Sequence, residues 1–202
     1  MKERPILFSD PMVRAILEGR KTQTRRIIKN VPFLTEEFLP CDEEGEFLAH
    51  PNSINPEYNS NAPVIRCPYG FSGDRLWVRE TWAASTAFDS VSPLDIDGEY
   101  IWYKAGGMLG HTADESLRGR WRPSIHMPRM YSRITLEIVG VRVERLRDIS
   151  EEDAEAEGVE IIEAFEPYRG VYRMLWESIH GGDSWDANPW VWVIEFRRIT
   201  RC

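Results

Sequence analysis

The sequence predicts an α+β domain in which short strands, interleaved with short helices, gather into a small mixed barrel. Three observations lead there. Segments with period-2 alternation are separated by brief helical patterns. No βαβ rhythm runs through the chain, which disfavours a doubly wound sheet. The chain also lacks a Walker loop and a dinucleotide fingerprint: its nearest glycine cluster, residues 106–110, has no following Lys-Ser/Thr.

Taken in order, residues 6–8 read as a short apolar strand. A helix follows. Ser9 or Asp10 can cap it, Pro11 suits its first position, and Met12, Val13, Ile16 and Leu17 share a face. Gly19 can take the left-handed conformation that ends a helix. Residues 25–29 start a strand, with Ile27 and Ile28 available to a core. Between residues 30 and 72 the pattern dissolves into Pro, Asn, Glu and Gly, with one small strand at residues 64–66, and it reads as a long insertion.

Residues 75–82 alternate as a strand, with Leu76, Val78 and Glu80 on one face and Trp77 and Arg79 on the other. A second insertion, residues 83–130, holds a strand at 99–104 and a mobile pair, Gly106-Gly107. Residues 131–146 form the clearest β segment, with Gly140 marking a bulge. Ser150 caps a short helix through Asp153. A further helix spans 168–179, with Val171, Leu175 and Ile179 at helical spacing, and residues 190–196 close the chain as a strand.

At 202 residues, with 42% hydrophobic content and eight Trp, the chain can bury one substantial core and reads as a single domain over residues 1–202. No apolar run is long enough to span a bilayer, and residues 1–5 lack the apolar core of a signal peptide. The expectation is a cytoplasmic protein with no membrane partner. Cys41, Cys67 and Cys202 do not make a disulfide framework. Cys41, His50 and Cys67 could supply three metal ligands, but no Cys-x-x-Cys or His-x-x-x-His pair supports them, so no metal is assigned.

The net charge of −8 argues against a surface that tracks nucleic acid throughout. Its distribution is uneven. Residues 20–29 carry Arg20, Lys21, Arg25, Arg26 and Lys29 and no acid. Residues 116–136 carry Arg118, Arg120, Arg122, Arg129 and Arg133, again without an acid, whereas carboxylates crowd residues 148–166 without Lys or Arg. Two readings stand: a locally positive cleft on an acidic protein, or a set of solvated faces.

Residues 17–26, Leu-Glu-Gly-Arg-Lys-Thr-Gln-Thr-Arg-Arg, place Lys21 and Thr24 at the exit of the first helix. Alone, this is either a solvated basic loop or the edge of a cleft. Gly-Arg-Lys-Thr-x-Thr-Arg after a short helix resembles the opening motif of the ASCH domain family, a branch of the PUA-like β-barrels. Residues 73–80 (GDRLWVRE), 146–158 (LRDISEEDAEAEG) and 191–196 (VWVIEF) are similar to three later family segments, in order. The resemblance covers about half the chain, and residues 30–72 and 83–130 would be insertions.

It implies a PUA-like barrel and, by analogy with family amidohydrolases that release acetate from N4-acetylcytidine, a catalytic set of Lys21, Thr24 and Glu157. Threonine would be the nucleophile, lysine its activator and glutamate the proton shuttle. Glu155 competes with Glu157 if the register slips by two, and Thr22 competes with Thr24. Arg26 stands where the small amidohydrolases tend to carry an acid. No cofactor is implied. Larger relatives of this kind occur in phage and prophage genomes, and other relatives resemble ribonucleases.

For binding, the candidates are Arg20, Arg25 and Arg26 near the first motif, and Trp77 and Glu80 in the second. Arg120, Trp121 and Arg122 add the Arg–aromatic interleaving that stacks bases while pairing phosphates. Tyr69, Phe71, Trp82, Trp102 and Tyr131 supply further rings. The expected partner is a nucleoside or a nucleic acid, RNA before DNA. The alternative to a hydrolase is a noncatalytic module reading a nucleobase in the same cleft, or a ribonuclease.

Overall fold

A computed structural model describes residues 1–31, 35–41, 46–51, 63–97, 100–109, 114–161 and 167–199. Its centre is a five-stranded sheet in the order β1 (Glu3–Leu7), β6 (Arg75–Arg79), β10 (Thr135–Arg145), β11 (Trp190–Ile199), β2 (Gln23–Ile27). Strand β1 runs parallel to β6, and the other neighbours are antiparallel. Two three-stranded sheets flank it: β3 (Thr35–Pro40), β4 (Glu46–Pro51) and β5 (Val64–Arg66), then β7 (Trp82–Ala83), β8 (Ile101–Tyr103) and β9 (Met108–Leu109). The helices are α1 (Asp10–Leu17), α2 (Glu151–Ala156) and α3 (Tyr168–His180).

The α+β class is as expected, but among the described residues no sheet closes on itself, so the expected barrel is not formed by backbone pairing. Strands β1 and β2 remain edges. A side chain bridges them instead: Arg26 Nη2, from β2, donates to the Leu7 carbonyl of β1 at 2.7 Å. Arg26 also lies over the Phe8 ring just beyond β1, 5.3 Å from its centroid.

Strand β11 is buried on both faces and explains the two main cores. Its period of two sends Trp192, Ile194 and Phe196 into a cluster with Ile6, Val13, Ile16, Leu76 and Leu136. Val191 and Val193 face the opposite way, against Ala154, Tyr172, Trp176 and Trp185 beneath α2 and α3. A third cluster, around Trp82, Ile101, Met127 and Tyr131, gives residues 83–130 a core of their own.

Several local expectations hold. Gly19 has φ +79°, and the β10–β11 register shifts between Ile138 and Gly140, which is the bulge. Ser150 Oγ accepts from the Asp153 amide at 3.0 Å and caps α2. Ser9 occupies the cap position of α1 but makes no side-chain capping bond.

Other expectations need correction. Residues 30–72 are not a patternless insertion. They hold β3–β5, which buries Phe38, Phe47 and Ala49 in the main core. Phe38 meets Trp190 edge-on with centroids 5.0 Å apart, and Phe47 meets Trp192 at 5.3 Å. Helix α3 buries Tyr172 and Trp176, not the stripe through Ile179, which is exposed. Ile28 is buried but Ile27 is 37% exposed. Gly106 and Gly107, both at positive φ, turn β8 into β9.

Asp74 fastens the β1 and β6 pair. It is fully buried; its Oδ1 accepts from the Lys2 amide and its Oδ2 from Arg4 Nη1, both at 2.6 Å. Burial alone would raise this carboxyl, but the Arg4 and Lys2 bonds outweigh it and hold the group below its ordinary value. The unfolded chain therefore takes up the proton first. The stabilisation is fully present above the ordinary carboxylate pKa and is lost as pH falls through the folded value. Asp74→Asn should cost about 1–3 kcal/mol at neutral pH, with the gap from wild type closing in acid. Urea midpoints across that range test this, and a gap independent of pH would refute it.

Candidate functional site

The site forms where the exit of α1 meets the C-terminal end of α2. Gly19 reverses the chain, so that the Arg20 and Lys21 amides both donate to the Ala15 carbonyl, at 2.9 and 3.1 Å. The Thr22 amide then donates to the Ala156 carbonyl at 2.9 Å, tying the loop to α2. At the other end, Gly158 has φ +79°. A Cβ there would come within 2.7 Å of Lys21 Cβ and 2.9 Å of Ala15 Cβ. Gly158 thus supplies both the left-handed turn and the close approach of α2 to Lys21.

Lys21 is buried completely at its side chain. Its Nζ donates to Glu157 Oε2 and to the Glu157 carbonyl, both at 2.7 Å. That carbonyl lies at the helix end, where backbone acceptors lack intrahelical partners and a cation is favoured. Burial pushes the Lys21 ammonium below its ordinary value, and the Arg25 and Arg26 charges add to this; Glu157 opposes by charge and hydrogen bond. The net direction is downward.

Glu157 is held from both sides, because Arg25 Nη1 reaches its Oε1 at 3.2 Å. Arg25 also binds Glu144 Oε1 through Nε at 3.0 Å and Asp153 Oδ2 through Nη2 at 2.9 Å. Arg142 closes the array against Glu144 at 3.1 Å and Asp153 at 2.7 Å. For Asp153, burial favours the neutral acid, but the Arg142 and Arg25 charges outweigh it and hold the carboxyl below its ordinary value. Tyr172 is driven the other way: burial raises its phenol well above the usual range, so it stays protonated.

Thr24, paired with Ile194 across β2 and β11, lines a narrow pocket of about 30 Å³ with Glu157, Arg25, Arg26 and Tyr172. A wider cleft of about 190 Å³ opens beside it, lined by Arg14, Arg20, Glu157, Val159 and Val171. Met12, Glu157 and Leu175 belong to both walls. The wider cleft is smaller than the roughly 300–1,000 Å³ of drug-sized sites.

The structure therefore gathers Lys21, Thr24, Glu157, Arg25 and Arg26, with Arg20 at the wider cleft. The competing residues differ in setting. Thr22 is exposed while Thr24 is buried. Glu155 is exposed and accepts from the Tyr168 hydroxyl, while Glu157 faces Lys21. The remaining candidates lie elsewhere. Trp77 is buried, with the Arg79 and Arg129 guanidinium groups 4.6 and 5.8 Å from its ring centroid. Glu80 is buried in a two-pronged pair with Arg133, at 2.9 Å for both bonds. Arg120, Trp121 and Arg122 line a different pocket.

Sequence reasoning missed Glu144, Asp153, Arg142 and Tyr172. Of these, the run of acids after residue 148 includes only Asp153 and reads equally as a solvated face; Glu144, Arg142 and Tyr172 lie outside it and carried no signal. Among the described residues no group of His, Cys, Asp and Glu is placed to hold a metal, and the His50 side chain lies outside them. Cys41 is exposed and Cys67 buried, and burial raises the Cys67 thiol to about 11. No helix among the described residues is long and apolar enough to cross a membrane.

Two glycines with the same dihedral separate strain from contact. Gly19 and Gly158 both have φ +79°, but a Cβ at Gly19 meets nothing within 4 Å. Each alanine variant should lose about 1 kcal/mol or more for the left-handed backbone, and Gly158→Ala a further ~1–3 kcal/mol for the contact with Lys21. Equal losses in urea unfolding would show that the packing of Gly158 on Lys21 carries no weight.

Compared with family models, curated proteins and solved structures, the chain matches none.

Proposed function

We propose that this protein is an amidohydrolase acting on an N4-acylated cytosine nucleoside or a closely related acylated nucleobase. The observation that carries this reading is the buried Lys21–Glu157 contact at 2.7 Å, with Glu157 and Thr24 on the wall of one pocket. The four-segment resemblance to the ASCH family supports it. The same reading takes the central sheet as a PUA-like barrel left open between β1 and β2, where Arg26 spans the gap.

The chemistry follows from the proton inventory. Passing one proton from the Lys21 ammonium to the Glu157 carboxylate leaves a neutral amine, the form that burial of Lys21 favours, and a carboxylic acid. The amine removes the Thr24 proton as Oγ attacks the acyl carbon. The carbon–nitrogen bond then breaks, Glu157 protonates the leaving nitrogen, and the acyl group remains as a threonine ester. Glu157, again a carboxylate, takes a proton from water as water attacks that ester. Threonine departs with the proton held by Lys21. The free acid and the amine leave, and the neutral pair is restored.

Release of free cytidine from N4-acetylcytidine tests the proposal. Lys21→Ala, Thr24→Ala and Glu157→Ala should each lower kcat by about 10²-fold or more, while Thr24→Ser keeps measurable turnover. Because the reacting pair holds one proton between its amine and its carboxyl, the rate should be bell-shaped in pH, and its falling alkaline limb should lie below the ordinary lysine value because burial lowers Lys21. A folded wild-type protein that turns over no acylated nucleoside would overturn the assignment. Survival of activity in Thr24→Ala would remove the covalent route.

A further inference from the structure

A second pocket, of about 350 Å³, lies in the 83–130 region and shares no lining residue with the Lys21 site. Pro93, Arg120, Trp121, Arg122, Pro123 and His126 form its walls. Its floor is built rather than incidental. The Arg122 amide donates to the Trp82 carbonyl at 2.7 Å and the Gly119 amide to the Ala84 carbonyl at 2.8 Å, pinning residues 119–122 alongside β7. Asp89 Oδ1 accepts from the Arg120 amide at 2.9 Å. A Cβ on Gly119 would lie 2.3 Å from that same oxygen, so glycine is required for Asp89 to reach in.

The charges of this region do not balance locally. Of the five arginines between residues 116 and 136, three have carboxylate partners: Arg118 with Glu115, Arg129 with Glu3 and Arg133 with Glu80. The other two, Arg120 and Arg122, make no ion pair among the described residues, and they are the two that line the pocket. Arg122 is only 6% exposed. Its Nη2 donates to the Phe88 and Asp89 carbonyls, and its Nε has no partner. Asp89 is a nearby carboxylate, but its Oδ1 is taken up by the Arg120 amide. Asp89 attracts Arg122 without forming an ion pair with it; a buried cation so incompletely matched is costly, and a bound anion relieves that cost.

Beside these cations sits an indole. Trp121 is 37% exposed, with the Arg118 guanidinium 4.4 Å from its ring centroid. An accessible aromatic ring flanked by two unpaired guanidinium groups matches the repeating chemistry of a nucleotide, an anionic phosphate joined to a flat base. We propose that this pocket binds one nucleotide unit of a single-stranded nucleic acid, its phosphate on Arg120 and Arg122 and its base stacked on Trp121. The proposal does not depend on the hydrolase reading. It adds a docking point for a polymer, and the acidic net charge does not oppose it, because the potential there is set by cations that nearby acids leave unpaired.

Fluorescence anisotropy with dye-labelled mixed-sequence single strands of about a dozen nucleotides, RNA and DNA, at several salt concentrations tests it. The wild type should bind, and Arg120→Ala and Trp121→Ala should each weaken binding by about 10-fold. Arg120→Ala should also reduce the salt slope by about 0.7. Both positions are exposed, so both variants should keep the wild-type circular dichroism and unfolding midpoint, and neither should change turnover of a free acylated nucleoside. Three results would overturn the proposal: no strand bound by folded wild type at low salt, binding indifferent to both substitutions, or equal competition by inorganic phosphate or cytidine monophosphate. The last would make this a small-anion site.

Discussion

The ammonium of Lys21 has no access to water, and much of the surrounding architecture answers to that. A buried charge survives only if paired and hydrogen-bonded, and here the pairing is passed outward in alternating sign. Lys21 contacts Glu157, Glu157 contacts Arg25, Arg25 contacts Glu144 and Asp153, and both of these contact Arg142, which reaches Glu195. Lys21, Glu157 and Arg25 are buried and the outer members are progressively more exposed, so the series that begins in the core ends where solvent can screen it. Four elements supply it: the loop after α1, β2, α2 and the β10–β11 pair. Removing any inner member would strand a neighbour's charge, which explains why two helix ends and a bulged strand pair are brought to one place.

A second buried carboxylate pair differs from this one in what its cation can do. Glu80 and Arg133 are joined by two parallel bonds, and the guanidinium lies 4.1 Å from the centroid of the Tyr103 ring. Arginine does not give up its proton in proteins, so this pair can only hold charge in place. Burial raises the Glu80 carboxyl against the pull of Arg133. The Lys21–Glu157 pair has one cation that can lose a proton, a carboxylate that can receive it, and a hydroxyl on the same pocket wall. The distinction lies in the acidity of lysine against arginine, since depth of burial is similar for the two carboxylates.

Features encoded within a few residues were legible in the sequence. The Gly19 stop, the Ser150 cap and the Gly140 bulge each follow from local backbone chemistry, and each stands where expected. The β3–β5 sheet was hidden because its buried positions are few and surrounded by polar residues; Phe38 and Phe47 matter only once Trp190 and Trp192 are opposite them. The face of α3 was misjudged for a related reason. Val171 and Leu175 have helical spacing but border the cleft, and the larger aromatic pair Tyr172 and Trp176 takes the core. Motif order singled out Lys21, Thr24 and Glu157; in the fold Lys21 bonds Glu157, and Thr24 lines a pocket with Glu157. Arg25's role was not legible, because Glu144 and Asp153 reach it only after β10 has paired with β11 and α2 has folded back.

Net charge is a poor guide to this surface because ion pairing redistributes it. The acids of residues 148–166 look like a solvated face, yet Asp153 and Glu157 are turned inward to neutralise Arg25 and Lys21. The basic stretch near residue 120 looks uniform, yet its arginines differ sharply. Arg118, Arg129 and Arg133 are matched by carboxylates, and Arg120 and Arg122 are left to a pocket with an accessible indole. An anion approaching the protein responds to the cations that remain unpaired, at distances within a Debye length of about 8–10 Å. A chain with eight excess negative charges can therefore present a positive recess, and within residues 116–136 its position follows from the two arginines that make no ion pair and share one pocket.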